Sequence, residues 1–238
     1  MLLHVATDAS DLRPPVGRWM GHPVQLIGLV ALFVVFTLGL QLWPGVSEQL
    51  QFSRSSYAQG AFWQLVTSQW AHLSRWHAVG NAFAFVVIVL ASGFWIRWPL
   101  QLLALCGGYA GVALVVALDS NCSYYAGASG ALHGLLAGNA VGMAWAGRSL
   151  GQPAHSEGQA AGTAPERWTF LVAVAVLGVM GLKLWLQAGN MREMPLSGWS
   201  FPVYHPAHVA GALGGMSLVL LVLAARAVLA TKVQAKGR

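Results

Sequence analysis

Residues 127–136 read Gly127-Ala128-Ser129-Gly130-Ala131-Leu132-His133-Gly134-Leu135-Leu136, and they lie within an uncharged stretch from Tyr124 to Ala146. A bilayer core of about 30 Å needs roughly 20 apolar residues in a helix, so this stretch predicts a membrane span. Gly130, Gly134 and Gly138 recur every four residues and share one helical face. Without side chains there, a second helix can approach backbone to backbone. Ser129 borders that seam, some five residues into the span, which at 1.5 Å per residue is roughly 8 Å below the surface. Water can reach that depth.

Working outward, five further stretches have spanning length: Val24–Trp43, His77–Trp95, Leu100–Leu118, Trp168–Gln187 and Pro206–Leu229. The fold class is therefore an all-α polytopic membrane protein, a six-transmembrane-helix bundle. Composition agrees, because 56% of the 238 residues are hydrophobic and only 8% charged. A soluble domain carries about 25% charged residues, so a soluble globular enzyme is excluded. The net charge of +6 reflects topology, not nucleic-acid binding. With the N-terminus inside, Arg13, Arg18, Arg97, Arg148, Arg167, Arg226, Lys232, Lys236 and Arg238 are cytoplasmic, against Arg54, Arg75 and Arg192 outside. This positive-inside bias puts both termini in the cytoplasm. The expected organisation is a tail over 1–23, a membrane domain over 24–229 containing a cytoplasmic linker over 148–167, and a basic tail over 230–238. The first span lacks a small-residue cleavage pattern and reads as a retained anchor. The Arg97–Pro99 turn is short enough to make spans two and three antiparallel neighbours. Cys106 and Cys122 are too few for a disulfide framework or a four-cysteine metal site.

The chemistry must come from polar groups inside the spans, since unpaired ones are costly in hydrocarbon. All seven carboxylates fall in tails or loops. That removes the parts of an aspartyl intramembrane protease, and no His-Glu-x-x-His helix offers a zinc protease. Serine, histidine and asparagine remain. In the last span His208 is followed by Gly211 and Gly215 on one face. Packing this seam on that of Ser129 brings imidazole to hydroxyl, and a serine becomes a nucleophile once a base accepts its proton. The blander reading is a serine in a packing seam and a histidine making one buried interhelical hydrogen bond.

His77 and Asn81, spaced i, i+4 near the same outer side, offer donors for an oxyanion, together with the backbone N–H of Ser129. His133, one turn below Ser129, is expected to contact the His208 ring instead of acting as the base. His72 reads equally as a solvated loop residue or a functional one. A zinc site from His72, His77, His205 and His208 lacks a carboxylate or thiolate to complete it, so no metal and no cofactor are expected. Lys183 reads as a residue whose stem snorkels to the interface, with substrate recognition as the alternative. The first outer loop, Pro44–Trp76, carries Phe52, Tyr57, Phe62, Trp63, Trp70 and Trp76, either as an interfacial belt or for a specific role.

These motifs resemble the rhomboid family of intramembrane serine proteases. The resemblance rests on His72, His77 and Asn81 at His-x4-His-x3-Asn spacing, on Gly127-Ala128-Ser129-Gly130, and on Ala207-His208-x-x-Gly211-x3-Gly215. It implies a rhomboid-like bundle with Ser129 as nucleophile and His208 as general base, a dyad without an acidic third member. It gives His77 and Asn81 to the oxyanion, and Gly127, Gly130, Gly211, Gly215 and His133 supporting roles. Position 133 is commonly tyrosine in rhomboids, where it packs on the catalytic histidine. The segment from Gly127 to Leu136 is similar to the rhombosortase branch, whose substrates bear a C-terminal Gly-Gly-type motif, a transmembrane helix and a basic cluster. The implied setting is a bacterial inner membrane, with the site on the periplasmic or outer side. The implied partners are transmembrane protein substrates and membrane lipid, with no nucleic acid. Substrates would enter laterally beside span five, under a cap formed by Ala188–His205. The first loop departs from the family, with Phe62-Trp63-Gln64 where rhomboids often have Trp-Arg, and Arg54 is the candidate to compensate. The rival functions are a catalytically silent rhomboid-like binder of membrane clients and a histidine-lined metal carrier.

Overall fold

The computed structural model describes residues 23–43, 45–147, 164–188 and 203–236. Residues 1–22 of the expected tail, 148–163 of the linker and 189–202 of the cap lie outside the described residues. Helix α1 (Pro23–Gly39) starts on a proline, which suits a first helical position because its missing N–H would lack a partner anyway. A 3-10 turn at Leu40–Leu42 continues it. The first loop then folds into α2 (Val46–Leu50), β1 (Phe52–Ser53), α3 (Arg54–Ala58) and α4 (Gln64–Thr67). Next come α5 (Arg75–Gly93), α6 (Trp98–Leu118), β2 (Tyr124–Tyr125), α7 (Ser129–Gly147), α8 (Ala164–Ala188) and α9 (His205–Lys236). Ser74 caps α5 by accepting from the His77 N–H at 3.1 Å. Pro99 opens α6.

The protein is an all-α, multi-pass membrane protein in which, among the described residues, five helices are long and apolar enough to cross a bilayer: α1 with its 3-10 extension, α5, α6, α8 and α9. The fourth expected span corresponds to α7, which is not among them. Its glycines, His133 and Asn139 dilute its apolarity, and it is buried over most of its length. Two further expectations are corrected. Tyr124 and Tyr125 do not begin a helix; they pair antiparallel with Ser53 and Phe52. Ser129 is therefore the first residue of α7, not five residues into it. The turn after α5 is short, but α6 packs chiefly on α7 and α9.

Those three helices touch through their backbones. A Cβ at Gly211 would fall on the Gly130 carbonyl, and one at Gly215 on the Gly134 carbonyl. Gly107 and Gly214 stand in the same relation between α6 and α9, and Gly108 meets the Ala131 carbonyl of α7. With so little side chain between them, dispersion and weak Cα–H···O contacts replace the absent hydrophobic drive.

The first loop is folded against this unit. Phe52 is fully buried beside Val112, Val116 and Ala207. Trp70 packs on Phe33 and Phe36 of α1 and stacks on Tyr109 of α6. Phe62, Trp63 and Trp76 stay exposed, so the aromatics divide between anchoring and core. Arg54 donates to the carbonyls of Val116, Ala117, Asp119 and Cys122. It thereby satisfies orphan acceptors at the negative end of α6. Gln64, where an arginine was the family expectation, accepts from the Ser53 N–H at 3.1 Å.

Candidate active site

Ser129 reaches the start of α7 through a turn that only glycine makes easily. Gly127 has φ +126°, and a Cβ there would meet the His77 ring at 2.7 Å. Its N–H bonds to the Ser68 carbonyl at 2.9 Å, and its carbonyl accepts from the Tyr125 hydroxyl at 2.8 Å. The loop preceding the helix is thus held from both sides. The first intrahelical bond runs from the Leu132 N–H to the Ala128 carbonyl. The N–H groups of Ser129, Gly130 and Ala131 precede it, at the positive end of α7.

Close packing of α7 on α9 brings Ser129 Oγ to 2.9 Å from His208 Nε2. His208 is 5% exposed, and its Nδ1 lies 3.3 Å from Gln187 Oε1 of α8. His133 stacks on the His208 ring, with centroids 4.3 Å apart and planes 15° from parallel. Its Nδ1 contacts the Ser129 carbonyl at 2.7 Å, and its Nε2 contacts Lys183 Nζ at 2.6 Å. The Lys183 side chain, exposed in part, thus reaches the His133 imidazole at the cavity that both line. Ser129, His133 and His208, from two helices, are linked by hydrogen bond and ring stacking.

His77 and Asn81 line a cavity of about 530 Å³, which also borders Ser129, His133, His208, Lys183 and Gln187. Asn81 is buried, and its amide nitrogen has no hydrogen-bond partner among the described residues. His72 is not a solvated residue. It is buried, its Nδ1 contacts the Trp70 carbonyl at 3.0 Å, and its ring meets His77 edge-on. Burial, and secondarily the neighbouring His77, hold its pKa down at about 3. His205 Nε2 contacts the Leu184 carbonyl at 2.9 Å. Among the described residues no group of three or more His, Cys, Asp or Glu is arranged to hold a metal.

Beyond this cluster, Tyr204 donates to the Asp119 carboxylate at 2.5 Å, tying the approach to α9 to the end of α6. That hydrogen bond is the main reason the Asp119 pKa is lowered, while burial raises that of Tyr204. Gln187 was not singled out from the sequence. The signal was its i, i+4 spacing from Lys183, which puts two polar side chains on one face of an apolar helix.

Among known protein families, the Rhomboid domain family matches residues 59–225, a region that holds α4 to α8, most of α9 and every residue described at the cavity. Neither the curated proteins nor the solved structures give a significant match.

Proposed function

The chain belongs to the rhomboid family, a rhomboid-type serine endopeptidase with a Ser129–His208 dyad, and from that premise we propose how the site works and on what. The observation that carries the reading is the 2.9 Å contact between Ser129 Oγ and His208 Nε2 at a cavity wall. Ser129 Oγ attacks the scissile carbonyl carbon while His208 Nε2 takes its proton. The tetrahedral oxyanion is held by the N–H groups opening α7 and by the Asn81 amide and His77. The imidazolium then protonates the departing amine, leaving an acyl ester on Ser129. Water drawn from the cavity hydrolyses that ester with His208 again as base.

Glycines 127, 130, 211 and 215 support this geometry by permitting the turn and the backbone approach. We read α7 as a sixth span, shielded from lipid by its neighbours, with both termini cytoplasmic and the cavity opening to the outer side of a bacterial inner membrane. Substrates are membrane-anchored proteins cut near a transmembrane segment. The similarity of residues 127–136 to rhombosortases favours a C-terminal sorting tail with a Gly-Gly-type motif as the cut element. Lateral access beside α8 fits the small share of that helix that is buried.

Cleavage of single-span reporters in proteoliposomes tests this reading. A reporter with a Gly-Gly-type motif before its helix should be cut, and one with that motif replaced by bulky β-branched residues should not. Equal cutting of both would overturn the substrate assignment. Crosslinking α8 to α5 should block cleavage of a membrane reporter, and unchanged turnover would reject lateral access.

A further inference from the structure

The base of a serine nucleophile must present a lone pair to the hydroxyl, which for His208 means that its single proton sits on Nδ1. The carbonyl oxygen of Gln187 faces that nitrogen at 3.3 Å, and an amide oxygen only accepts. It therefore selects the Nδ1–H form and leaves Nε2 free to receive the Ser129 proton. A similar constraint acts on His133. The Lys183 ammonium can only donate, so His133 Nε2 must accept from it. The Ser129 carbonyl can only accept, so His133 Nδ1 must donate to it. Both ends demand one tautomer. That ring is then locked flat against His208. Lys183 and Gln187 lie four residues apart, one turn of α8.

We propose that Gln187 and Lys183 are positioning residues: from one face of α8 they fix the proton positions of the two stacked imidazoles, so that His208 meets Ser129 as a base. Gln187 occupies the place of the third group in a nucleophile–base–orienter arrangement, with a neutral amide instead of a carboxylate. Lys183 acts one ring further away, by holding the surface on which His208 stacks. The inference rests on the Ser129–His208 reading and adds to it that α8 supplies the orienting groups.

The test uses the full-length protein in micelles and a fluorophosphonate probe, with the maximal labelling rate and the probe concentration for half-maximal rate measured separately. Gln187→Leu keeps the size of the side chain but removes the acceptor, and should slow the maximal rate about tenfold at unchanged half-saturation. Gln187→Glu restores an acceptor oxygen, now as a carboxylate that also favours the forming imidazolium, and should label at least as fast as wild type. Lys183→Met should slow labelling about threefold, and Lys183→Arg, which still donates, should recover it. Each variant's unfolding midpoint is read alongside, so that a misfolded Leu variant leaves the comparison of wild type with Gln187→Glu to decide. There, a Glu variant at least as fast as wild type supports the role, and one tenfold slower overturns it. Wild-type rate in Gln187→Leu overturns the role of Gln187, and wild-type rate in Lys183→Met overturns that of Lys183. Absence of Ser129 labelling in the wild-type protein is a different failure: it rejects the dyad itself, and the positioning role falls with it.

Discussion

Helices α7 and α8 differ in a way that inverts the usual reading of hydrophobicity. α7 is too rich in Gly, His and Asn to qualify by apolarity as a span, yet it lies at the centre of the molecule. α8 is apolar enough to cross a membrane, yet only 11% of its apolar window is buried. In a bilayer, lipid is as apolar as leucine, so apolarity marks contact with lipid, whereas small residues mark contact with another helix. The glycines make the same contrast. A Cβ at Gly130, Gly134 or Gly138 of α7 would abut a carbonyl of a neighbouring helix, while one at Gly178 or Gly181 of α8 would meet nothing within 4 Å among the described residues. The nucleophile sits on the packed helix. The polar groups that meet the imidazoles sit on the loosely packed one.

The comparison breaks most directly at the α7–α9 seam. Gly211→Ala places a methyl group on the Gly130 carbonyl, and such overpacking against a backbone should destabilise by about 3 kcal/mol. Thermal unfolding in micelles reads the loss, and activity should fall with it because Ser129 and His208 lie on the same two helices. Next comes the loop leading into α7. Arg54→Gln removes donors to four carbonyls around the end of α6 and should cost about 2 kcal/mol in the same assay.

His72 gives a pH test of how tightly that first loop is folded. Its pKa is about 3 in the folded protein, against 6.5 as the ordinary value. The unfolded chain therefore takes up a proton as pH falls through 6.5, and the folded chain does not. Stability from this group should decline between about pH 6.5 and 3 and level off below. His72→Gln should flatten that decline, measured as the difference in unfolding midpoint between pH 7 and 4.5. An unchanged difference would mean that His72 is exposed in the native protein. The smallest effect belongs to α8: Gly178→Ala and Gly181→Ala should change stability by about 0.5 kcal/mol or less. A large effect at either would show that α8 is packed as α7 is.

Much of the seam was legible in the sequence because helical periodicity alone sorts Gly130, Gly134, Gly138, Gly211 and Gly215 onto faces. The number of helices meeting there was not. Gly107, Gly108 and Gly111 in α6 serve two neighbours at once, and periodicity within one helix does not name its partners. Tyr124 and Tyr125 look like the first residues of an apolar span, but pairing with Phe52 and Ser53, some 70 residues earlier, decides their conformation. Lys183 and Gln187 sit where polar residues ordinarily mark the end of a span. Only the facing imidazoles of His133 and His208 distinguish a working contact from a boundary. Arg54 shows the converse. It stands about ten residues before Gln64, outside the missing Trp-Arg pair, yet it supplies a pin to the same loop.

The measurement that bears most directly on the account is covalent labelling of the full-length protein in lipid by a fluorophosphonate probe, with the modified residue located by peptide mass. The account predicts modification of Ser129 in the wild-type protein and none in Ser129→Ala, with labelling in His208→Ala slower by a factor of about 1,000. Equal labelling of wild type and His208→Ala would contradict it, because the 2.9 Å contact between Ser129 and His208 would then play no part in activating the serine.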